Sequence, residues 1–260
     1  MNWLRLISEG ALVLLLIPIA VLLYYGFGPL RDSQGLSLLV LRSIALTLVS
    51  SALALAVNVL LFTPLAYHLA RSNDRLSDAL VDIPVSVPHP IIGVALLILD
   101  SPQTPTGHVL LSLGINFYNT LLGLVIALVI MSGPIYVRAM QPVFESRDES
   151  PEYFARGMGA GPLRILYSVV LPDSKSGLVS ASLVSMSRAM SEFGSISIIA
   201  YYVLQYPFYG VSAASVTIFN LFSGAVPGGL NAAVTASAAL ILVALPITLG
   251  AHLVRRKNHD

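Results

Sequence analysis

Cysteine is absent from the 260 residues, tryptophan occurs once, and charged side chains make up only 10% of the chain. Without cysteine there is neither a disulfide framework nor thiolate-ligated zinc. A soluble domain carries roughly a quarter of its residues as Asp, Glu, Lys and Arg, so the shortage of charge points to lipid as the main solvent. The net charge of +1 is uninformative about nucleic acid; there is no basic patch beyond a few loop residues, and no nucleic-acid partner is expected. The five histidines form no HExxH or other clustered ligand set, and no metal site is expected. The glycine cluster GMGAG at residues 157–161 lacks the Lys and Ser/Thr of a phosphate loop and follows no strand, so this chain is not expected to bind nucleotide. No internal repeat is visible, which gives an inverted-repeat, ion-coupled secondary transporter no support.

What is present is apolar: 56% of residues are hydrophobic and the mean hydropathy is +0.82. A helix needs about 20 apolar residues to cross a core about 30 Å thick. Six runs meet that length, at residues 8–28, 38–70, 79–99, 119–141, 177–200 and 231–254. The first is long for a signal peptide and no small-x-small cleavage site follows, so it reads as a retained span. The second exceeds what a membrane needs and is expected to protrude or tilt. In the third, Pro84, Pro88 and Pro90 remove backbone donors and predict a kinked helix inside a bundle.

Lys and Arg set the orientation. With the N-terminus in the cytoplasm, Arg71, Arg75, Arg147, Arg156, Arg164, Lys175, Arg255, Arg256 and Lys257 fall inside. Arg5 and Arg138 lie close to that face, and only Arg31 and Arg42 lie near the outside. Both ends are then cytoplasmic. The whole chain, 1–260, reads as one multi-pass domain of a cell membrane, with a cytoplasmic loop at about 142–176 and a long outer loop at about 201–230. The outer loop is aromatic and Gly-punctuated. It is expected to hold a short interfacial or re-entrant helix facing the exterior; an aromatic belt at the headgroups is the alternative.

The cytoplasmic loop contains EYFARGMGAGPLRILYSVVLP, residues 152–172. Pro151 suits a first helical turn and Glu152 the positive end of that helix. Gly159 and Gly161 allow the chain to reverse, Pro162 opens a second helix and Pro172 closes the motif. The expected product is a rigid elbow of two short helices. Arg156 and Arg164 face water, and Phe154, Leu163 and Leu166 offer apolar contacts.

This order resembles the coupling motif of ABC importer permeases, usually written EAA…G…LP, which docks in a groove of the ATP-binding subunit. Ala155, Gly159, Leu171 and Pro172 match it. The usual Glu position falls on Tyr153, with Glu152 one residue early, so the role of that carboxylate is open. RAMSEFGSISIIAYY at 188–202 and VDIPVSVPHPIIGVALL at 81–97 resemble the fifth and third spans of molybdate, tungstate and sulfate permeases. SEFG followed by IAYY is most similar to archaeal tungstate/molybdate permeases.

The resemblance implies an all-α, six-span permease of the type I importer class, working as a homodimer with a second copy of itself. It implies a transport subunit rather than an enzyme, with no cofactor on this chain. ATP and Mg would sit on a separate dimer of ATP-binding subunits, and an extracellular oxyanion-binding protein would deliver the anion. A sulfate or thiosulfate permease is the alternative within the class; a scaffolding membrane protein would leave the intramembrane charges unexplained.

Arg188 and Glu192 lie within the fifth run, where an isolated charge costs at least about 2.5 kcal/mol. Their i, i+4 spacing predicts one helical face, shared with Ala181, Ser185 and Ser195. That face reads either as a structural ion pair or as part of the anion's path or gate. His89, between two prolines, reads as a satisfied polar group of the bundle or as a further pathway contact.

Overall fold

The computed structural model describes the backbone of residues 2–256 and the side chains of residues 3–250. Lys257 and the side chains of Arg255 and Arg256 lie outside that range, so the basic C-terminal group is placed by sequence alone. Among the described residues every regular element is helical, apart from an isolated bridge between Val203 and Val211.

Four helices are long and apolar enough to cross a membrane: α1 (Asn2–Phe27), α2 (Leu38–Arg71), α7 (Leu121–Glu145) and α14 (Gly229–Arg256). α2, with 34 residues, spans about 50 Å at 1.5 Å per residue, longer than a bilayer core, as its length predicts. α2 lies along α7. α11 (Lys175–Met190) packs against both and against α14, which also carries α1.

In lipid no hydrophobic force draws helices together, so small residues and side-chain hydrogen bonds must hold them. The buried face of α2 is accordingly rich in Ser43, Thr47, Ser50, Ser51, Ala54 and Asn58. Asn58 Nδ2 donates to Ser132 Oγ at 2.8 Å and to Ser185 Oγ at 3.1 Å, tying α2, α7 and α11 at one point. Ser43 and Thr217 share a hydrogen bond of 2.8 Å that ties α2 to α13 (Ala214–Ser223), a ten-residue helix in the outer loop.

The third run is broken more deeply than a kink. It forms α3 (Arg75–Val81), α4 (Ile83–Ser86) and α5 (His89–Leu99), with a bend of 100° between the two halves. Val87, before Pro88, is extended at φ −89°, ψ 137°, because the proline ring disfavours the helical region for its predecessor. Arg138 of α7 clamps the first half: its Nε and Nη2 donate to Asp82 at 2.9 and 2.7 Å, and its Nη1 donates to Asp78. Beyond α5, Asp100 Oδ2 accepts the Phe117 and Tyr118 N–H groups, each at 2.9 Å, and so folds back the outer segment carrying α6 (Pro105–Ser112).

The fifth run is not one helix across 177–200. α11 stops at Met190 and a single turn, α12 (Ile196–Ile199), follows the break. The cause is local: Glu192 Oε1 accepts both the N–H and the hydroxyl of Ser195 at 3.0 Å, a side-chain turn that competes with the helical ladder.

Candidate functional site

Two sites emerge, one at the elbow and one at the broken spans. The elbow starts where Asp148 accepts the Ser150 N–H at 3.0 Å and its hydroxyl at 2.9 Å, contacts that hold the Asp148 carboxyl below the usual carboxylate range. α8 (Ser150–Gly157) follows, with Pro151 in its first turn. Gly159 then takes φ +84°, the left-handed conformation the reversal requires. α9 (Pro162–Ile165) leads into a π-helical turn, Leu166–Val170, and α10 (Leu171–Asp173). Pro172 explains the wide turn: its ring crowds the carbonyl four residues back and it offers no N–H to it.

The inner face of the elbow is apolar. Ala155, Ile165, Leu166 and Val170 are buried in one cluster with Tyr67 and Leu69 of α2 and Phe144 of α7. Leu166, expected to offer an outward contact, is instead 1% exposed, because the π turn rotates it inward. Phe154, Met158 and Leu163 are exposed at the tip, beside Arg156 and Arg164.

Glu152 points into this core. The Tyr67 hydroxyl donates to its Oε2, and Arg71 donates to its Oε1 through Nη2 at 2.8 Å and Nε at 3.1 Å. Arg156 stands 3.7 Å away. Glu152 thus latches α8 onto the end of α2. Tyr153, at the position where the family motif has Glu, is exposed, and its hydroxyl donates to Glu149 Oε2 at 3.0 Å. That carboxylate pushes the Tyr153 hydroxyl above its ordinary range; Glu149 itself is half-exposed, with its Oε1 3.9 Å from Arg71 Nε. Tyr67, Arg71 and Glu149 were not singled out by the motif. Arg71 carried only an orientation signal, and no local pattern pairs it with Glu152.

At the second site, Arg188 Nη2 lies 2.9 Å from Glu192 Oε2. His89 joins them, with Nδ1 3.1 Å from the same carboxylate oxygen and Nε2 3.0 Å from Arg188 Nη2. The pair therefore closes across the end of α11 rather than along a helical face, and it ties α11 to the first residue of α5. Ser195 belongs to the cluster through Glu192 Oε1. Ser185 does not: it is fully buried, receives Asn58 and donates to the Ser132 carbonyl at 3.2 Å. The predicted common face fails at Ser185 because its hydroxyl is taken by Asn58 of α2 and the Ser132 carbonyl of α7, and at Ser195 because α11 ends before it.

The sequence pattern of the family described as "Binding-protein-dependent transport system inner membrane component" matches residues 59–259. The molybdate/tungstate transport system permease protein WtpB of Thermococcus kodakarensis is 30% identical over 214 residues, covering 79% of this chain and 74% of that one. The WtpB protein of Pyrococcus furiosus is 33% identical over 167 residues, covering 63% of this chain and 62% of its own length. A probable sulfate transport system permease protein, cysT, of Zygnema circumcarinatum is 34% identical over 164 residues, covering 62% of this chain and 57% of that one. The matches thus span less than two thirds of the last two relatives. Among solved structures, a bacterial alginate ABC transporter in complex with an alginate pentasaccharide-bound periplasmic protein superposes with a TM-score of 0.67 at 18% identity. That match covers 98% of this chain and 94% of the other. The inward-facing MetNI methionine ABC transporter superposes with a TM-score of 0.57 at 18% identity, over 84% of this chain and 93% of the other. At such identities the structures speak for the fold, which is that of type I ABC importer permeases. The chain is a multi-pass membrane protein that belongs to the family of binding-protein-dependent transport system inner membrane components.

Proposed function

We propose that this chain is the permease subunit of an ATP-driven importer for a tetrahedral oxyanion, with molybdate and tungstate ahead of sulfate. The observation that carries the transport reading is the elbow. It is an internally latched pair of short helices with an apolar tip left uncovered, and it sits directly on the ends of α2 and α7. Such a tip gives a partner something to grip, and the latch passes the partner's motion into α2.

In this reading six crossings place both ends in the cytoplasm, and residues 1–260 form one domain. Two copies face one another. A dimer of ATP-binding subunits, which alone holds ATP and Mg and performs hydrolysis, grips the two elbows. Closure of that dimer on ATP draws the elbows together, and α2, α7 and α11 follow as packed bodies. An external binding protein docks on the outer loops, including residues 201–230, and releases the anion into the space between the copies.

The cargo rests on the WtpB relatives and on the SEFG…IAYY segment. Similarity to cysT favours sulfate or thiosulfate as the second reading. The test is co-purification with the ATP-binding subunit, reconstitution into vesicles and uptake with the cognate binding protein. Uptake of molybdate or tungstate, weakly competed by excess sulfate, is expected. Preferred sulfate uptake would overturn the cargo, and uptake without an ATP-binding partner would overturn the whole reading.

A further inference from the structure

We propose that Arg188, His89 and Glu192 form a counter-ion exchange site: the Glu192 carboxylate holds the Arg188 guanidinium until a transported tetrahedral dianion takes its place. The inference rests on the oxyanion-import reading and assigns that anion a contact within the membrane.

Depth comes first. In the import reading Lys175 stands at the cytoplasmic surface, and Arg188, about 20 Å along α11 at 1.5 Å per residue, then falls inside a core about 30 Å thick. Its side chain is 22% exposed and that of His89 37%, while that of Glu192 is fully enclosed. The Arg188 and His89 side chains are therefore partly open at the protomer surface, and the carboxylate they share is enclosed. A guanidinium turned toward lipid at this depth is costly. The face that carries it is accounted for by a polar space, which two facing copies would enclose.

The carboxylate is held from two sides. Oε2 stands between Arg188 and His89, and Oε1 accepts the Ser195 N–H and hydroxyl at 3.0 Å each. Glu192 keeps those Ser195 contacts when Arg188 turns away, so the exchange does not leave a bare buried charge. A guanidinium fork fits two oxygens of a tetrahedral oxyanion as well as it fits a carboxylate. His89 is the first residue of α5, whose first turn has no side-chain cap, so the positive end of that helix lies beside the cluster.

Affinity follows from the charges. Arg188 and Glu192 cancel, so a dianion meets a site with no net positive charge and must compete with a tethered carboxylate. A transit site must be entered and left, and tight binding would trap the cargo. Removing the competitor therefore turns transit into retention.

The chain lacks cysteine, so Ser191→Cys places a single thiol at the exposed turn beside Arg188. In the purified permease–ATPase complex, without binding protein, molybdate should at least halve the rate at which a negatively charged methanethiosulfonate labels that thiol. Sulfate should act likewise, and Arg188→Gln should abolish the protection. Radiolabelled molybdate should be retained by Glu192→Gln several-fold more than by wild type or by the Arg188→Gln/Glu192→Gln double variant, while vesicle uptake by Glu192→Gln falls. A monodisperse Glu192→Gln complex that retains no more anion than the double variant would overturn the exchange. If that variant does not assemble, unprotected labelling of Ser191→Cys overturns it instead. Wild-type uptake of molybdate in the same preparation separates failure of the site from failure of the import reading.

Discussion

Two neighbouring carboxylates at the elbow have opposite assignments, and substitution separates them. Glu152 is 3% exposed at its side chain and faces Arg71, which is 9% exposed. Glu152→Ala removes the close, hydrogen-bonded partner of the enclosed Arg71 guanidinium and leaves it only Glu149 at 3.9 Å, at a cost of about 3 kcal/mol. A melting temperature several degrees lower in detergent is expected. Glu149 is 46% exposed. Glu149→Gln should keep the melting temperature and weaken retention of the ATP-binding subunit; the same response from both variants would refute the division of roles. Gly159 supplies a third residue-scale test. A Cβ there meets nothing within 4 Å, so Gly159→Val adds no clash, only the strain of a β-branched residue at φ +84°. Membrane insertion should be normal and uptake lost, as read by membrane fractionation and vesicle transport; normal uptake would show that the bend tolerates another geometry.

The two broken elements, α3–α5 and α11–α12, meet back to back. Gly93 of α5 lies against the break in the fifth run: a Cβ there would stand 2.5 Å from the Ser195 carbonyl oxygen and 2.9 Å from Ile198 Cβ. Gly93→Ala must therefore push α5 away from the turn that holds Glu192. Uptake should fall sharply while the ATP-binding subunit still co-purifies, because the elbow is untouched. Glu9→Gln is the matching control. Among the described residues Glu9 pairs with Arg5 on the exposed surface of α1, at 2.7 Å, and exposed pairs contribute at most about 1 kcal/mol. Transport by Glu9→Gln should equal wild type, whereas Glu192→Gln should not.

For the molecule as a whole, the elbow and the charged cluster stand at different depths and are joined by packed helices rather than by a direct contact. Asn58 holds α2, α7 and α11 at a single junction through Ser132 and Ser185. Asn58→Leu removes both hydrogen bonds at once. Each side-chain bond between membrane helices contributes about 0.6 kcal/mol on average, so folding should survive. The junction would then slip: ATP hydrolysis by the complex should continue while uptake per ATP falls. Unchanged coupling would place transmission elsewhere. The binding protein should also be required for stimulation of hydrolysis, since the net-neutral cluster offers no tight site of its own.

The amino-acid sequence by itself determined what depends on a few adjacent turns. Run length and hydropathy located the long helices. Pro151, Gly159, Pro162 and Pro172 set out the elbow, and Lys and Arg suggested its side of the membrane. These signals are local, so periodicity and turn chemistry carry them. The tertiary structure decided the rest. Arg71 and Glu152 are 81 positions apart, and Arg188 and His89 are 99 apart. Neither separation leaves a pattern in a sequence read one window at a time. The i, i+4 spacing of Arg188 and Glu192 foretold their contact but not its geometry, because a continuous helix was assumed and the Glu192–Ser195 turn ends it. Ser185 is claimed instead by Asn58 and the Ser132 carbonyl, 127 and 53 positions away. Which carboxylate turns inward at the elbow was settled by what lay above it, the Tyr67 hydroxyl and the Arg71 guanidinium, since a buried charge goes where its partners already stand.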